Sequence, residues 1–411
     1  MSRTEVYVIG DEEIEAVRRV INARQLFRYR GGEGGETDRF EQEWAKLIGV
    51  QYALAMSSGT GALICGLVGL GVGPGDEVIV PGYTFMASAL AVTAAGAVPI
   101  LAEVDESLTI DPKDVERKIT PRTKAIMPVY MLGLPADMDA IMGLAKKHGL
   151  RVLEDACQAD GGAYKGRRLG SIGDAGGFSF NHFKILVCGE GGALTTDEVT
   201  VYQRALVHHD GGTVFRGHAQ HLQIPIWAGL NFRINEILSA ILRVQLSRLE
   251  TILAAVRREK RIMMEELGEV SGLTFSPIHD PEGDCGIHLA LLFETEEEAR
   301  VALAAIHPGL NAFIPLDTDR HVYTNWEPIL KKRGAHHPKL DPFNLAEVPV
   351  EYSKDMLPQT LSVLGRTVCL MSSATRPEAE LMEAIAVSKD ALSQRGAASP
   401  TYPSQPPVKP A

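Results

Sequence analysis

Several kinds of residue and segment are scarce in this chain of 411 residues. Cysteine occurs five times, an odd number, without a Cys-x-x-Cys pair and mostly within apolar runs. This pattern indicates reduced, buried thiols rather than a disulfide framework. No apolar run approaches the roughly 20 residues that span a bilayer, and the N-terminus has no basic-then-apolar signal pattern. We therefore expect a cytoplasmic protein with no membrane partner.

Positive charge is also in short supply. The chain has 41 Lys and Arg against 52 Asp and Glu, a net charge of −11, with both signs mixed along its length. Nucleic acids and anionic lipids bind to basic surfaces, so a nucleic-acid partner is not expected. The 45% hydrophobic content suffices for a sizeable core, and we expect two domains.

Apolar runs of strand length alternate with helical patterns from Tyr52 onward. Such alternation predicts an α/β fold, in which a mostly parallel sheet is covered by helices on both faces. The less regular sequence after the long helical pattern at 233–257 predicts a smaller α+β domain. The seven strand-like runs are at residues 53–56, 77–80, 98–102, 124–129, 151–153, 177–180 and 192–195.

These patterns divide the chain into four predicted segments. Residues 1–35 hold an N-terminal helix and a mobile arm, and residues 36–250 form a large α/β domain. Residues 251–395 form the smaller domain, and residues 396–411 carry no core-forming pattern and are predicted to be disordered. In the first helix, Ile14, Val17, Val20 and Ile21 recur at helical spacing, and Asp11 can cap the first turn.

A single lysine, Lys184, is placed between an aromatic strand and a glycine-rich turn. Residues 177–192 are Gly-Phe-Ser-Phe-Asn-His-Phe-Lys-Ile-Leu-Val-Cys-Gly-Glu-Gly-Gly, so Lys184 lies on a connection between two predicted strands. Side chains on connections project into sites more often than into the core. A lysine at the mouth of an apolar pocket can attack a carbonyl and form a Schiff base, which is how pyridoxal phosphate is anchored. The alternative is a surface lysine with its ammonium in water.

Polar residues follow several predicted strands, where ligands of parallel sheets bind. Residues 57–63, Ser-Ser-Gly-Thr-Gly-Ala-Leu, follow the first strand and open a helix. Their backbone N–H groups and the Thr60 hydroxyl would face outward at the positive end of the helix dipole, which suits a phosphate. An ordinary helix cap is the alternative.

Two adjacent carboxylates, Glu154 and Asp155, end the fifth predicted strand among apolar neighbours. Burying both is costly unless one is paired. Asp155 could pair with the protonated ring nitrogen of pyridoxal phosphate and keep the ring able to accept electrons. A helix cap and a metal ligand are the alternatives.

Further candidates lie on other connections. Phe85 could stack on a flat cofactor ring or belong to the core. Asn231 could lend a polar group to a phosphate or begin a capped helix. The histidines around His209 match no familiar metal-ligand spacing, so we expect them in a loop over the site and expect no metal. The candidates for substrate contact are Tyr130, His209, His321 and Trp326, with Asp160, Tyr323 and Asn325 as further possibilities.

Several motifs stand in a recognisable order and spacing. They are Ser-Ser-Gly-Thr at 57–60, Gly-Pro-Gly-Asp-Glu-Val-Ile-Val-Pro at 73–81, Thr-Phe at 84–85, Ile-Thr-Pro-Arg-Thr-Lys-Ala-Ile at 119–126, Glu-Asp-Ala-Cys-Gln at 154–158, Phe-Ser-Phe at 178–180, Lys184, Gly-Glu-Gly-Gly at 189–192 and Gly-Leu-Asn-Phe-Arg at 229–233. Together they resemble the sugar aminotransferases of the DegT/DnrJ/StrS type, densely over residues 10–260 and more loosely beyond.

The resemblance implies a fold-type I enzyme that uses pyridoxal phosphate, usually as a homodimer with sites at the subunit interface. The reaction implied is transfer of an amino group from glutamate or glutamine to a keto-sugar or keto-cyclitol, in amino-sugar or cell-surface polysaccharide biosynthesis. By position, the resemblance assigns the Schiff base to Lys184, the pyridinium partner to Asp155, a ring-hydroxyl contact to Gln158, ring stacking to Phe85, and phosphate binding to Gly59, Thr60, Ser179 and, from the partner subunit, Asn231.

Departures from the family pattern bear on the substrate. The family often has His at the positions of Tyr130 and Asp160. Cys157, residues 209–211, residues 280–284 and residues 325–326 look most like the subgroup that produces 8-amino-3,8-dideoxy-manno-octulosonate. Related sugar dehydratases place histidine at the position of Lys184, so the lysine favours transamination over dehydration. A non-catalytic cofactor-binding protein is a third possibility, against which the intact Lys184 and Asp155 argue.

Overall fold

The computed structural model describes residues 7–29, 34–213 and 217–394. Part of the predicted mobile arm, residues 30–33, lies outside these ranges, as does the whole predicted disordered tail. Within the described ranges, no helix is both long and apolar enough to cross a membrane.

A seven-stranded sheet forms the centre of the molecule. Its strands lie in the order β1-β9-β8-β5-β4-β2-β3, and β9 runs antiparallel to both of its neighbours while the other pairs are parallel. The predicted seven-stranded, mostly parallel sheet is therefore confirmed. The strands are β1 (Tyr52–Met56), β2 (Glu77–Pro81), β3 (Val98–Ala102), β4 (Thr123–Ile126), β5 (Arg151–Asp155), β8 (Ala175–Ser179) and β9 (Gly192–Thr196), and a separate hairpin is formed by β6 (Ala163–Tyr164) and β7 (Arg167–Arg168).

Helices cover both faces of this sheet. Alternate residues of β2 enter different hydrophobic clusters: Val78 and Val80 pack in one cluster with Leu63, and Ile79 packs in the other with Trp44. This alternation is the period of a strand buried on both sides. The helices of this part of the chain are α1 (Asp11–Ala23), α2 (Glu36–Ile48), α3 (Gly59–Gly69), α4 (Ala87–Ala94), α5 (Pro112–Lys118), α6 (Met138–His148), α7 (Val199–His209) and α8 (Glu236–Leu267).

The chain after α8 forms a smaller antiparallel sheet with its own helices and a third hydrophobic cluster. The strand order is β10-β11-β12. This arrangement agrees with the predicted α+β character of the region, while the predicted domain boundaries stay predictions. The elements are β10 (Thr274–Phe275), β11 (His288–Leu292), α9 (Glu296–Ala305), α10 (Glu327–Leu330), α11 (Pro342–Leu345), α12 (Pro358–Gly365), β12 (Thr367–Met371) and α13 (Glu378–Ser393).

The predicted N-terminal helix is present, but its predicted cap is wrong. Gly10, not Asp11, occupies the N-cap position, and the Glu13 carboxylate accepts the Gly10 N–H at 2.7 Å. The buried Glu13 also accepts hydrogen bonds from Gln245 and Arg248 of α8. Satisfying this carboxylate turns its side of α1 inward, so that Val20 is buried while Ile14 and Ile21 are exposed.

Candidate functional site

Lys184 lies on the connection between β8 and β9. Its backbone N–H donates to the Asn181 carbonyl at 3.1 Å, and the two ends of the connection are joined by the bond from the His182 N–H to the Gly189 carbonyl. The side chain is partly buried, and its amine makes no hydrogen bond or ion pair with any residue in the described ranges. The positive charge acts on Cys157, Asp160 and His321, which places these groups around the amine. This placement favours a functional lysine over a solvated surface lysine.

The two adjacent carboxylates at the end of β5 point to opposite faces of the sheet. Asp155 faces the Lys184 side, where Oδ2 accepts the Ser88 hydroxyl at 2.6 Å and Oδ1 accepts the Cys157 N–H at 3.1 Å. Alternation along a strand explains why the neighbours separate. Asp155 is 4% exposed and pairs with no cation in the described ranges.

The buried carboxylate of Glu154 is stabilised by hydrogen bonds from within the protein. Its carboxylate accepts backbone N–H groups from Gly170, Ile172 and Gly173 at 2.6 to 2.7 Å and the hydroxyl of Tyr130. Burial raises the pKa of Glu154, and these hydrogen bonds oppose the shift. Glu154 therefore holds the loop that precedes β8, which is a structural task.

The start of α3 forms a concave surface against the end of β8. A Cβ placed on Gly59 would lie 2.7 Å from the Cβ of Ser179 and 3.0 Å from Sγ of Cys157. Glycine is thus needed for the close approach, which brings Ser179 beside the N-terminus of α3, where Thr60 also lies. Ser58 caps the helix by accepting the Gly61 N–H at 3.0 Å, so the cap and the cradle coexist in one motif.

Gly192 closes the other side of this cradle, and its substitution is our first prediction. A Cβ there would lie 2.4 Å from the Ser58 carbonyl oxygen and 2.7 Å from the Gly59 nitrogen. Both are backbone atoms, so the clash could be relieved only by moving the backbone. We expect Gly192→Ala to lower the free energy of unfolding by about 2 kcal/mol and to weaken cofactor binding. Urea unfolding and cofactor titration measure both effects.

The matched control is Gly143→Ala in the exposed middle of α6, where an added Cβ meets nothing within 4 Å. This change should stabilise the protein slightly, by about 0.5 to 1 kcal/mol. Equal effects of the two substitutions would contradict the proposed role of Gly192 in shaping the cradle.

Gln158 is oriented by a strained turn. Its Oε1 accepts the N–H of Leu132 at 3.0 Å, and Leu132 has φ of 60°, a left-handed conformation that is uncommon for a branched side chain. His288 donates from Nδ1 to the Leu132 carbonyl at 3.3 Å. With Oε1 engaged, the amide group of Gln158 presents its N–H donors elsewhere, as a contact to a ring hydroxyl requires.

Phe85 and His321 lie side by side, although they are distant in sequence. Residues 82–86 pair with residues 320–323 through bonds such as Thr84 N–H to the His321 carbonyl at 2.9 Å. The Phe85 ring is 38% exposed and lies 5.8 Å from the His321 ring, so it offers a free aromatic surface rather than core packing. Burial, with the charges of Lys184 and Arg320, lowers the pKa of His321 to about 4. His321 is therefore neutral at physiological pH.

The other three candidates for substrate contact are buried in the protein. Tyr130 has no exposed surface and donates to Glu154. Trp326 is fully buried and its indole N–H donates to the Arg320 carbonyl at 3.0 Å. His209 is fully buried in the last turn of α7, so its predicted position in a loop was wrong. We keep His321 alone as a proposed substrate contact.

Asn231 lies on the surface beside the cradle. It pairs through its backbone with Asp210, while the Phe232 carbonyl accepts the Ser57 N–H at 2.7 Å. Its exposed side chain caps the N–H of Arg233. This position leaves Asn231 accessible to a second subunit.

Ser88, which the sequence did not mark as a site residue, touches Asp155. Cys157, known from the sequence only as part of a motif, lies between Gly59 and Asp155. Burial, followed by the charge of Asp155, raises the pKa of the Cys157 thiol. Burial also raises the pKa of Asp160, against the opposing effects of the Leu186 N–H and the charge of Lys184. Both groups are therefore shifted toward their neutral forms.

This arrangement fits pyridoxal phosphate by its own chemistry. A partly buried amine without an ion pair, a fixed buried carboxylate, an exposed aromatic ring and a cradle that a Cβ would fill surround one region of the protein. These are the groups that the aldehyde, ring nitrogen, ring face and phosphate of the cofactor require. In the described ranges, no group of three or more His, Cys, Asp or Glu side chains is arranged to hold a metal ion.

Comparison with known proteins gives the same answer. Residues 8–311 match the family model described as the DegT/DnrJ/EryC1/StrS aminotransferase family. The chain is 40% identical over 299 residues to dTDP-3-amino-3,4,6-trideoxy-alpha-D-glucose transaminase of Streptomyces venezuelae, covering 72% of this chain and 76% of the relative. It is 43% identical over 225 residues to GDP-perosamine synthase of Caulobacter vibrioides, covering 53% and 58%.

Solved structures share the fold over nearly the whole chain. The crystal structure of 3-amino-5-hydroxybenzoic acid synthase superposes with a TM-score of 0.77 at 30% identity, covering 94% of this chain and 98% of the other. The structure of S. venezuelae DesV in complex with a ketimine intermediate gives 0.75 at 31% identity, covering 95% of each chain. The chain belongs to the DegT/DnrJ/EryC1/StrS aminotransferase family and is a sugar aminotransferase that depends on pyridoxal phosphate.

Proposed function

We propose that this enzyme transfers an amino group from glutamate or glutamine to a keto-sugar, with Lys184 as the covalent anchor and proton carrier. The observation that carries the proposal is that Lys184, partly buried and without an ion pair in the described ranges, acts through its charge on Cys157, whose N–H donates to the fixed carboxylate of Asp155. When bound, pyridoxal phosphate supplies an aldehyde for the amine and a ring that accepts electrons.

The residues around Lys184 have separate tasks in this proposal. Asp155 holds a proton on the ring nitrogen, and Gln158 donates to the ring hydroxyl. The Lys184 amine would hold the cofactor and would remove and return a proton at the reacting carbon. Neutral His321, beside Phe85, is the proposed substrate contact and adds no competing cation beside the amine.

The acceptor is proposed to be a keto-sugar linked to a nucleotide, because relatives covering much of the chain are named as dTDP- and GDP-sugar enzymes. An 8-oxo octulosonate is the second acceptor to test, on the strength of the motifs at 209–211, 280–284 and 325–326. A sugar dehydratase is disfavoured by the lysine at position 184.

The experiment is a panel of acceptors offered to the enzyme after conversion to its amine-carrying form with glutamate or glutamine. Mass spectrometry should find one amino-sugar formed in stoichiometric amount with the cofactor. A deoxygenated keto product without nitrogen would show dehydration instead. Failure of both amino donors to convert the bound cofactor would overturn the aminotransferase mechanism.

We further propose that the enzyme is a homodimer whose sites contain residues of both subunits. Apolar side chains are exposed on both sides of the site: Phe183, next to Lys184, is 69% exposed, and Leu230, next to Asn231, is 54% exposed. Exposed apolar groups beside a polar site support burial by a second copy of the chain.

Mixed dimers test whether Asn231 serves the partner's site. Asn231→Asp would place a negative charge next to the cofactor phosphate, and Lys184→Ala removes the anchor, so each variant alone should be inactive or nearly so. Co-expression of the two chains should restore about a quarter of the wild-type activity, because half of the dimers are mixed and each mixed dimer has one intact site. No recovery in purified mixed dimers would show that Asn231 acts within its own chain.

A further inference from the structure

A pair of buried hydroxyl groups lies behind the Asp155 carboxylate. Ser88, in the first turn of α4, is fully buried, and Thr84, four residues earlier, is 1% exposed. Their oxygens are 2.7 Å apart, and the Ser88 oxygen is 2.6 Å from Oδ2 of Asp155. The three side chains therefore form one continuous chain of hydrogen bonds.

The chemistry of the groups fixes the direction of these bonds. An ionised carboxylate only accepts, so Ser88 must donate its single proton to Asp155. The Ser88 oxygen is then free to accept the Thr84 hydroxyl. Bonds that run in one direction toward a charge polarise one another and are stronger than isolated bonds.

An ordinary helix-cap role does not account for Ser88. Its backbone N–H already bonds to the Phe85 carbonyl at 3.1 Å. The contact from its hydroxyl to the same carbonyl is 3.2 Å, against 2.6 Å to Asp155, and the hydroxyl has only one proton. The shorter, charge-assisted bond to Asp155 is the stronger of the two, so the Ser88 hydroxyl donates its proton to the carboxylate.

Both carboxylate oxygens of Asp155 are thereby held, one by Ser88 and the other by the Cys157 N–H. Two fixed partners define the plane of the carboxylate, which sets where a third partner, the ring nitrogen, can bind. The same short segment carries Phe85, which offers the stacking surface. The short segment 84–88 thus carries both Ser88, which holds the carboxylate for the ring nitrogen, and Phe85, which can stack on the face of the cofactor ring.

We infer that Ser88, supported by Thr84, is a positioning residue that orients Asp155 for the ring nitrogen of pyridoxal phosphate. The inference rests on the proposed role of Asp155. It assigns no contact between Ser88 and substrate or cofactor, and its effect passes through the carboxylate.

The test uses full-length Ser88→Ala, near-isosteric Ser88→Cys and the conservative Ser88→Thr, with Ser239→Ala as the matched control. Ser239 is also a fully buried helix serine bonded to a threonine hydroxyl, that of Thr37 at 2.8 Å, but it lies on α8. Titration of the apoprotein with pyridoxal phosphate should show affinity weakened by about tenfold or more in Ser88→Ala, less in Ser88→Cys and little in Ser88→Thr. Ser239→Ala should lower thermal stability and leave affinity unchanged.

The pH dependence of kcat/KM and of the cofactor absorbance gives a second readout. A loss of packing alone would not change it. Removing a donor from the charged carboxylate disfavours its charged form. We therefore expect the acidic limb of the kcat/KM profile and of the cofactor absorbance to move to higher pH in Ser88→Ala. An unchanged limb and unchanged affinity in folded Ser88→Ala or Ser88→Cys would overturn the inference.

A double-mutant cycle with Asp155→Asn separates this inference from the proposal beneath it. If Ser88 acts through Asp155, Ser88→Ala should have almost no further effect on affinity in the Asp155→Asn background. The same tenfold loss of affinity in both backgrounds would show that Ser88 acts through packing. That result would refute the inference about Ser88 and leave the proposed role of Asp155 intact. An Asp155→Asn protein with wild-type affinity and spectrum would refute the role of Asp155, and the inference with it.

Discussion

Lys184→Ala is expected to abolish covalent attachment of pyridoxal phosphate and to lower transamination by at least about 10³-fold. Lys184 is partly buried, and its amine forms no ion pair with a carboxylate in the described ranges. The titratable groups near it are shifted toward their neutral forms, because burial raises the pKa values of Cys157 and Asp160 and lowers the pKa of His321 to about 4. No other lysine is placed on this connection.

Reduction with borohydride followed by mass spectrometry measures this directly. Wild-type protein should gain the mass of one cofactor on the peptide that contains Lys184, and Lys184→Ala should gain none. Lys339→Ala, which removes an exposed lysine on a distant connection, should behave as wild type. Cofactor trapped on a different residue of Lys184→Ala with activity preserved would refute the assignment.

The sheet could be predicted from the sequence because each strand carries its own signal. Val78, Ile79 and Val80 form an apolar run, and the structure buries all of β2. The residues at the carboxyl ends of these strands, Asp155 and Ser179 among them, could be expected at one edge of the sheet for the same reason. The cradle at Gly59 was also predictable, since a Ser-Gly-Thr sequence between a strand and a helix marks a helix N-terminus.

Contacts between distant segments decided what the sequence could not show. The sequence could not show that Glu154 accepts the Tyr130 hydroxyl or that the Trp326 indole is buried in the core, and these contacts remove both residues from the substrate candidates. The orientation of α1 depends on Gln245 and Arg248, more than 200 residues away from Glu13. Ser88 could not be predicted as a site residue, because only the tertiary fold brings it to Asp155.

The two adjacent carboxylates of β5 lead to opposite predictions. Asp155→Asn keeps the shape of the side chain but removes the charge opposite the ring nitrogen, so we expect kcat to fall by about 10³-fold. The fold should survive, because the amide oxygen can still accept the Cys157 N–H and the amide NH2 can donate to the Ser88 hydroxyl, which accepts as well as donates. The free energy of unfolding of the apoprotein should change little.

Glu154→Gln is the matched control one residue away, and it should show the reverse pattern. Three backbone N–H groups and the Tyr130 hydroxyl point at the Glu154 carboxylate, and an amide brings N–H donors of its own into that cluster of donors. We expect unfolding to become easier by about 2 kcal/mol, while the folded fraction keeps near-wild-type kcat. Urea unfolding and kcat should be measured on both variants. Loss of kcat with unchanged stability in Glu154→Gln, or loss of stability with unchanged kcat in Asp155→Asn, would contradict the roles given to the two residues.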